Sequence, residues 1–246
     1  MTRYLMANWK MFTPPLPQWM QAVTTVHIDE CVEVVLFPPF TQLAAAQMVR
    51  AQTHVQLGGQ DCHWQKEGAF TGNISAEMLK RTGCAYVLCG HSERRQQHGE
   101  DNDTVKAKAE AAMEAGLTPV ICIGETRAEY EAGKTRDVLV EQITATVPNG
   151  EVVIAYEPVW AIGTGVTADE YQVQDTHAIV REILDDRFDK IDSVPILYGG
   201  SVKPDNSQAL IQVPGVNGFL IGGASLDVVS FTSIANSVEQ VQMRKL

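Results

Sequence analysis

Eight short apolar runs, at residues 3–9, 32–37, 54–59, 84–89, 118–123, 151–156, 195–198 and 217–221, alternate with helix-length segments along the whole chain. Several of them, such as Val32-Glu33-Val34-Val35-Leu36-Phe37 and Glu151-Val152-Val153-Ile154-Ala155-Tyr156, are apolar almost throughout, the pattern of parallel strands covered on both faces. The segments between them read as helices over 41–52, 103–115, 127–147, 169–186 and 225–242. Thr13 ahead of Pro14 and Pro15 reads as a helix start, and Gly116 after Ala115 as a helix stop. Because strand and helix alternate without a Gly/Ser-rich or Pro-rich linker, the expected fold is α/β: a (β/α)8 barrel forming a single domain over 1–246. The length of 246 residues would also admit two smaller domains. A doubly wound open sheet is the alternative topology, weakened by the missing G-x-G-x-x-G after the first run.

Charge narrows the partners. A net charge of −11 sets most of the surface against a phosphate backbone, so nucleic acid is excluded as a general ligand and any anionic ligand needs local positive charge. The N-terminus has no long apolar stretch, and no segment offers the roughly 20 apolar residues of a membrane span, so a soluble, unexported, cytoplasmic protein is expected. Five cysteines form no CxxC pair, and three of them (Cys84, Cys89 and Cys122) fall in apolar runs, which suits reduced, packed thiols.

In a barrel, chemistry gathers on the loops that follow the strands. Asn8 and Lys10 follow the first run, His91 the fourth, Glu157 the sixth, Ser201 the seventh, and Gly222 with Gly223 the eighth. Glu157 ends an apolar strand and precedes Pro158, Val159 and Trp160 and the glycine-flanked tip Gly163-Thr164-Gly165, a carboxylate beside a loop able to exclude water. That placement suits a catalytic base, where an ordinary glutamate would be solvated. His91 shows no metal-ligand spacing with the other histidines. With Ser92 capping a helix that begins at Glu93, the helix dipole favours its neutral imidazole. Lys10 would be a fixed cation at a strand end, suited to an anionic substrate. The glycine pairs at 199–200 and 222–223 sit where barrels hold phosphate on backbone N–H groups, though glycines there can also be turn formers.

Seven motifs in order, from Asn8-Trp9-Lys10-Met11 through Gly68-Ala69-Phe70-Thr71-Gly72, Gly90-His91-Ser92-Glu93-Arg94-Arg95, Cys122-Ile123-Gly124-Glu125-Thr126, the run 156–165 and Tyr198-Gly199-Gly200-Ser201-Val202 to Gly222-Gly223-Ala224-Ser225-Leu226, closely resemble the triosephosphate isomerase family. The resemblance implies a TIM barrel that interconverts dihydroxyacetone phosphate and D-glyceraldehyde 3-phosphate through an enediol or enediolate, a step of glycolysis and gluconeogenesis, without cofactor or metal. By the same resemblance Glu157 moves the carbon-bound proton, His91 polarises the carbonyl, Lys10 offsets negative charge and Asn8 positions the substrate. Gly163, Ser201, Gly222 and Gly223 hold the phosphate, while Tyr198 and Ser201 latch a closing lid and Glu125 contacts Trp160 when it is open. Cys122 and Glu93 would support Glu157 and Lys10 or His91. The family is homodimeric through the loop 61–73 with Thr71 at its tip, and an exposed Phe70 there calls for a cover. The chain departs from the family at Asp61, Asn73, Phe12 and Val166; Asn73 removes a carboxylate that would pair with an arginine such as Arg95 across the interface. The other readings are a non-catalytic phosphate-binding barrel, against which Lys10, His91 and Glu157 argue, and a barrel enzyme for a different sugar phosphate.

Overall fold

The computed structural model describes residues 2–26, 31–50, 53–161, 168–188 and 194–243. Its strands are β1 (Arg3–Asn8), β2 (Val32–Phe37), β3 (Gln56–Gly59), β4 (Tyr86–Cys89), β5 (Thr118–Ile123), β6 (Val153–Tyr156), β7 (Ile196–Tyr198) and β8 (Gly218–Ile221). They form a closed barrel in sequence order, with every neighbouring pair parallel. The seam closes where β1 pairs with β8, Tyr4 opposite Gly218 and Ala7 opposite Ile221.

Strand periodicity sorts the side chains into two layers. Met6, Val35, Leu88, Val120, Val153, Ala155, Leu197 and Leu220 fill the barrel interior. Their chain neighbours, among them Leu5, Ala7, Leu36, Val87, Ile121, Ile154, Ile196 and Phe219, point outward against the helices. Burying a side chain of this kind contributes about 1.5–3 kcal/mol, which is why both faces of each strand must be apolar.

The helices that cover the barrel are α1 (Leu16–Thr25), α2 (Phe40–Val49), α3 (Ala76–Arg81), α4 (Ser92–His98), α5 (Asn102–Glu114), α6 (Arg127–Glu131), α7 (Thr135–Thr146), α8 (Glu170–Arg187), α9 (Ser207–Gln212) and α10 (Val228–Met243). Their starts follow local chemistry: Asp101 accepts from the Thr104 N–H to open α5, and Thr126 with Glu129 and Asp169 with Gln172 form reciprocal capping boxes on α6 and α8. The segment 127–147, expected as one helix, is two, because the chain turns at Gly133. The short α3 and α9 were not anticipated from the sequence. The helix after Pro14 starts at Leu16 with Pro15 as its cap, and its Trp19 packs edge-on against Trp9 at 5.6 Å while its indole N–H donates to the Ser225 carbonyl. The final helix begins at Val228, three residues later than expected, after a short 3₁₀ turn at Gly223–Ser225. Among the described residues no helix is long and apolar enough to cross a membrane.

Candidate active site

Continuing the inward side-chain sequence past the strand ends brings Asn8 from β1, Glu157 from β6, Gly199 from β7 and Gly222 from β8 to one mouth of the barrel. All four line a cavity of about 390 Å³, together with Lys10, His91, Ser201 and Gly223. The sequence-predicted residues therefore converge, except Gly163, which lies in the segment 162–167 outside the described residues together with Gly165 and Val166.

Glu157 is almost wholly buried. Its Oε1 lies 3.0 Å from His91 Nε2, and its Oε2 accepts from the Ser92 N–H at 2.9 Å. Two glycines make this approach possible. Gly90 takes a left-handed turn, φ 70°, that swings His91 away from the strand direction, and a Cβ there would strike Val105 at 2.5 Å. At Gly124 a Cβ would sit 1.8 Å from the Glu157 carbonyl oxygen, so only glycine lets the loop after β5 pass. Gln142 pins that loop by bonding both the N–H and the carbonyl of Gly124.

His91, rather than Ser92, is the cap of α4: its Nδ1 accepts from the Glu93 N–H at 3.2 Å. This bond uses the Nδ1 lone pair and assigns the proton of the neutral ring to Nε2, facing Glu157. Burial works against the imidazolium, but the charge and hydrogen bond of Glu157 outweigh it, so the His91 pKa is raised. The helix-terminus argument for a neutral ring thus meets an opposing neighbour that the sequence could not place. For Glu157, burial favours the neutral acid, and His91, the Ser92 N–H and Lys10 outweigh it, holding the carboxyl below its ordinary range.

Lys10 has φ 51°, a left-handed backbone that costs a non-glycine residue about 1–2 kcal/mol. It is held there by Asn8 Oδ1, which accepts the Lys10 N–H at 2.9 Å, and by Gln60 Nε2, which donates to the Lys10 carbonyl at 2.7 Å. Gln60 escaped the sequence reading; its only signal was its place at the end of the β3 run. Lys10 Nζ pairs with Glu93 Oε1 at 2.6 Å. Cys122 is buried inside the barrel, where burial first and then the Glu157 charge push its thiol pKa up.

Gly222 and Gly223 line the cavity at the start of the 3₁₀ turn, the end at which backbone N–H groups lack partners within the turn. The end of β7 and the loop after it reach both flanks of the segment 162–167: Ser201 Oγ donates to the Ala161 carbonyl at 3.1 Å, and the Tyr198 hydroxyl faces the Ala168 backbone. Glu125 accepts from Trp160 Nε1 at 2.9 Å and from the Tyr156 hydroxyl at 3.1 Å, and Tyr130 stacks on Trp160. Arg95 is engaged within its own chain, with the Gly90 carbonyl, Asn102 Oδ1 and the Cys122 carbonyl. Among the described residues no group of three or more His, Cys, Asp or Glu side chains could hold a metal.

A buried carboxylate beside an imidazole that presents its Nε2 proton, with an ammonium across the same cavity, can move a proton on carbon while a carbonyl oxygen is polarised. A sequence profile described as triosephosphate isomerase matches residues 3–238. Curated relatives named triosephosphate isomerase include those of Geobacter metallireducens, 46% identical over 96% of this chain and 98% of its own, and Xanthobacter flavus, 48% identical over 94% and 95%. The crystal structure of triosephosphate isomerase from Bartonella henselae superposes with a TM-score of 0.90 at 37% identity, covering 97% of this chain and 100% of that one. Barrel, site geometry and sequence agree: the chain belongs to the triosephosphate isomerase family.

Proposed function

We propose that this chain interconverts dihydroxyacetone phosphate and D-glyceraldehyde 3-phosphate, with Glu157 as the base, His91 as the electrophile, and Lys10 and Asn8 binding the substrate. The observation that carries the reading is the Glu157–His91 contact at 3.0 Å inside the cavity that Lys10 and Asn8 also line. Glu157 takes the proton from the carbon next to the carbonyl; the C–H electron pair becomes the carbon–carbon double bond, and the carbonyl pair moves onto oxygen. His91 gives its Nε2 proton to that oxygen, recovers one from the neighbouring hydroxyl, and Glu157 returns its proton to the adjacent carbon. Lys10 offsets the enediolate charge. When substrate draws the carboxylate away from His91, burial, Glu93 and Lys10 remain; burial is the largest of the three and, with Lys10, lowers the imidazole pKa against the pull of Glu93, which favours the neutral electrophile. Backbone N–H groups at Ser201, Gly222 and Gly223 hold the phosphate.

The working unit is a homodimer built through the loop 61–73. Supporting it, Met11 and Phe12 after β1 and Trp64 and Phe70 in that loop are exposed, on neighbouring loops whose bases are joined by the Gln60–Lys10 bond. The protein works in the reducing cytoplasm, where its five free cysteines suit the compartment.

A coupled isomerisation assay on wild type and Glu157→Asp tests the base. Retracting the carboxylate by one methylene is expected to lower kcat about a hundredfold with KM little changed. Equal rates in the two proteins overturn the assignment.

A further inference from the structure

We infer that Lys203, a residue outside the catalytic set, supplies the local positive charge that draws the substrate phosphate into the cavity and helps to hold it. The inference rests on the phosphate-substrate reading above. Four ionisable residues line the cavity: Lys10, His91, Glu157 and Lys203. Lys10 is already neutralised by Glu93 at 2.6 Å, and Glu157 is a carboxylate beside an imidazole. With Lys10 cancelled by Glu93 and His91 neutral, Glu157 leaves the mouth at a formal charge of −1 in a chain of net charge −11, and Lys203 brings it to zero, which removes the unfavourable field a phosphate dianion would otherwise meet.

Lys203 is exposed at the rim, and among the described residues no carboxylate pairs with it. The nearest acid in sequence, Asp205, lines a different groove with Asp169 and Glu170. The backbone at Lys203 is pinned although the side chain is free. Its N–H donates to Asn206 Oδ1 at 2.8 Å, its carbonyl accepts from the Ser207 N–H at 3.0 Å, and Pro204 follows directly. Asn206 also donates to the Ser201 carbonyl at 2.9 Å, which ties the base of the lysine to the residue proposed to hold phosphate. A flexible ammonium on a fixed stem, two residues from Ser201, suits steering and loose contact with an anion rather than one directed hydrogen bond.

Steady-state kinetics of Lys203→Gln, Lys203→Glu and Lys203→Arg, at about 0.02 M and about 0.5 M ionic strength, test the assignment. Lys203→Gln is expected to lower kcat/KM about three- to tenfold at low salt and no more than about twofold at high salt. Lys203→Glu should lose about the square of that factor, Lys203→Arg should stay within about twofold of wild type, and the losses should lie in KM. Inorganic phosphate, titrated calorimetrically against the same proteins, should weaken by about the same factors as kcat/KM at low salt. Low-salt kcat/KM and phosphate affinity unchanged in both Lys203→Gln and Lys203→Glu overturn the assignment, as does a loss confined to kcat with the salt dependence intact. Those outcomes in an active protein leave the isomerase reading standing. An inactive wild type overturns that reading, and the calorimetric series still decides whether Lys203 attracts phosphate.

Discussion

His177 on α8 is buried where a charged imidazole would have little support. Its Nδ1 lies 3.2 Å from the Gly215 carbonyl, its Nε2 has no hydrogen-bond partner among the described residues, and the Tyr156 ring stands edge-on at 6.0 Å. Burial lowers its pKa from 6.5 to about 4, although the Gly215 carbonyl pulls the other way. The unfolded chain therefore takes a proton below pH 6.5 that the native state refuses until about pH 4, so stability present above 6.5 drains away as the pH falls through that window. The loss amounts to about 3 kcal/mol. His177→Asn keeps a donor near the Gly215 carbonyl and removes the titration. Urea midpoints measured from pH ~7.5 to pH ~4 should fall less steeply in the variant, while its stability at the upper end drops by about 1–2 kcal/mol. A variant as acid-sensitive as wild type would show that other groups set the acid limit.

At the scale of elements, the chain between β3 and α5 is joined by a closed ring of alternating charges. Asp61 pairs with Lys108 at 2.5 Å, Lys108 with Glu100 at 2.5 Å, Glu100 with Arg94 at 2.7 Å, and Arg94 returns to Asp61 at 3.0 Å. The ring ties the loop that begins at Asp61 to α4, the helix that His91 caps. Lys108 and Glu100 are buried, so Lys108→Met leaves two neighbouring carboxylates with Arg94 as their one shared cation in the ring and should cost about 3–5 kcal/mol in urea unfolding. Asp61→Asn should cost less than about 1 kcal/mol, because burial already raises the Asp61 pKa and an amide oxygen still accepts from Lys108. Similar losses in the two variants would mean that the ring does not act through buried charge. From sequence, Asp61 was visible only as a departure from its family, since its partner Lys108 lies 47 residues away. What was legible was local. β2 and β5 carry the bounds read from their apolar runs, because parallel strands covered on both faces need such runs. The six-residue α3 and α9 were missed because so few turns hold no readable period, and the His91 cap was assigned to Ser92 because serine is the commoner capping residue. Glu157, His91, Lys10 and Asn8 were legible as strand-end residues, whereas Gln60 and Lys203 act through placement in the fold.

For the whole molecule, the same loops that shape the site leave apolar side chains in water. Met11 is 94% exposed and Phe12 56%, while Trp64 and Phe70, at 42% and 41%, flank the ring of His63 in the loop 61–73. An acidic chain of net charge −11 resists unspecific association, and a second copy of the chain, as proposed above, would cover such a surface symmetrically. Gln60 carries the consequence inward: it sits at the base of that loop and holds the carbonyl of Lys10, whose left-handed backbone relaxes unless its surroundings fix it. In the proposed dimer, association and catalysis would be coupled through this bond. Sedimentation at micromolar concentration should give twice the chain mass of 27.0 kDa, and the melting temperature should rise with protein concentration. Phe70→Asp places a charge where the partner would pack and should shift the protein toward monomer. Its specific activity should then fall on dilution at concentrations where wild type is constant. A fully active monomeric variant would separate the two properties and show that Lys10 keeps its geometry from contacts within its own chain.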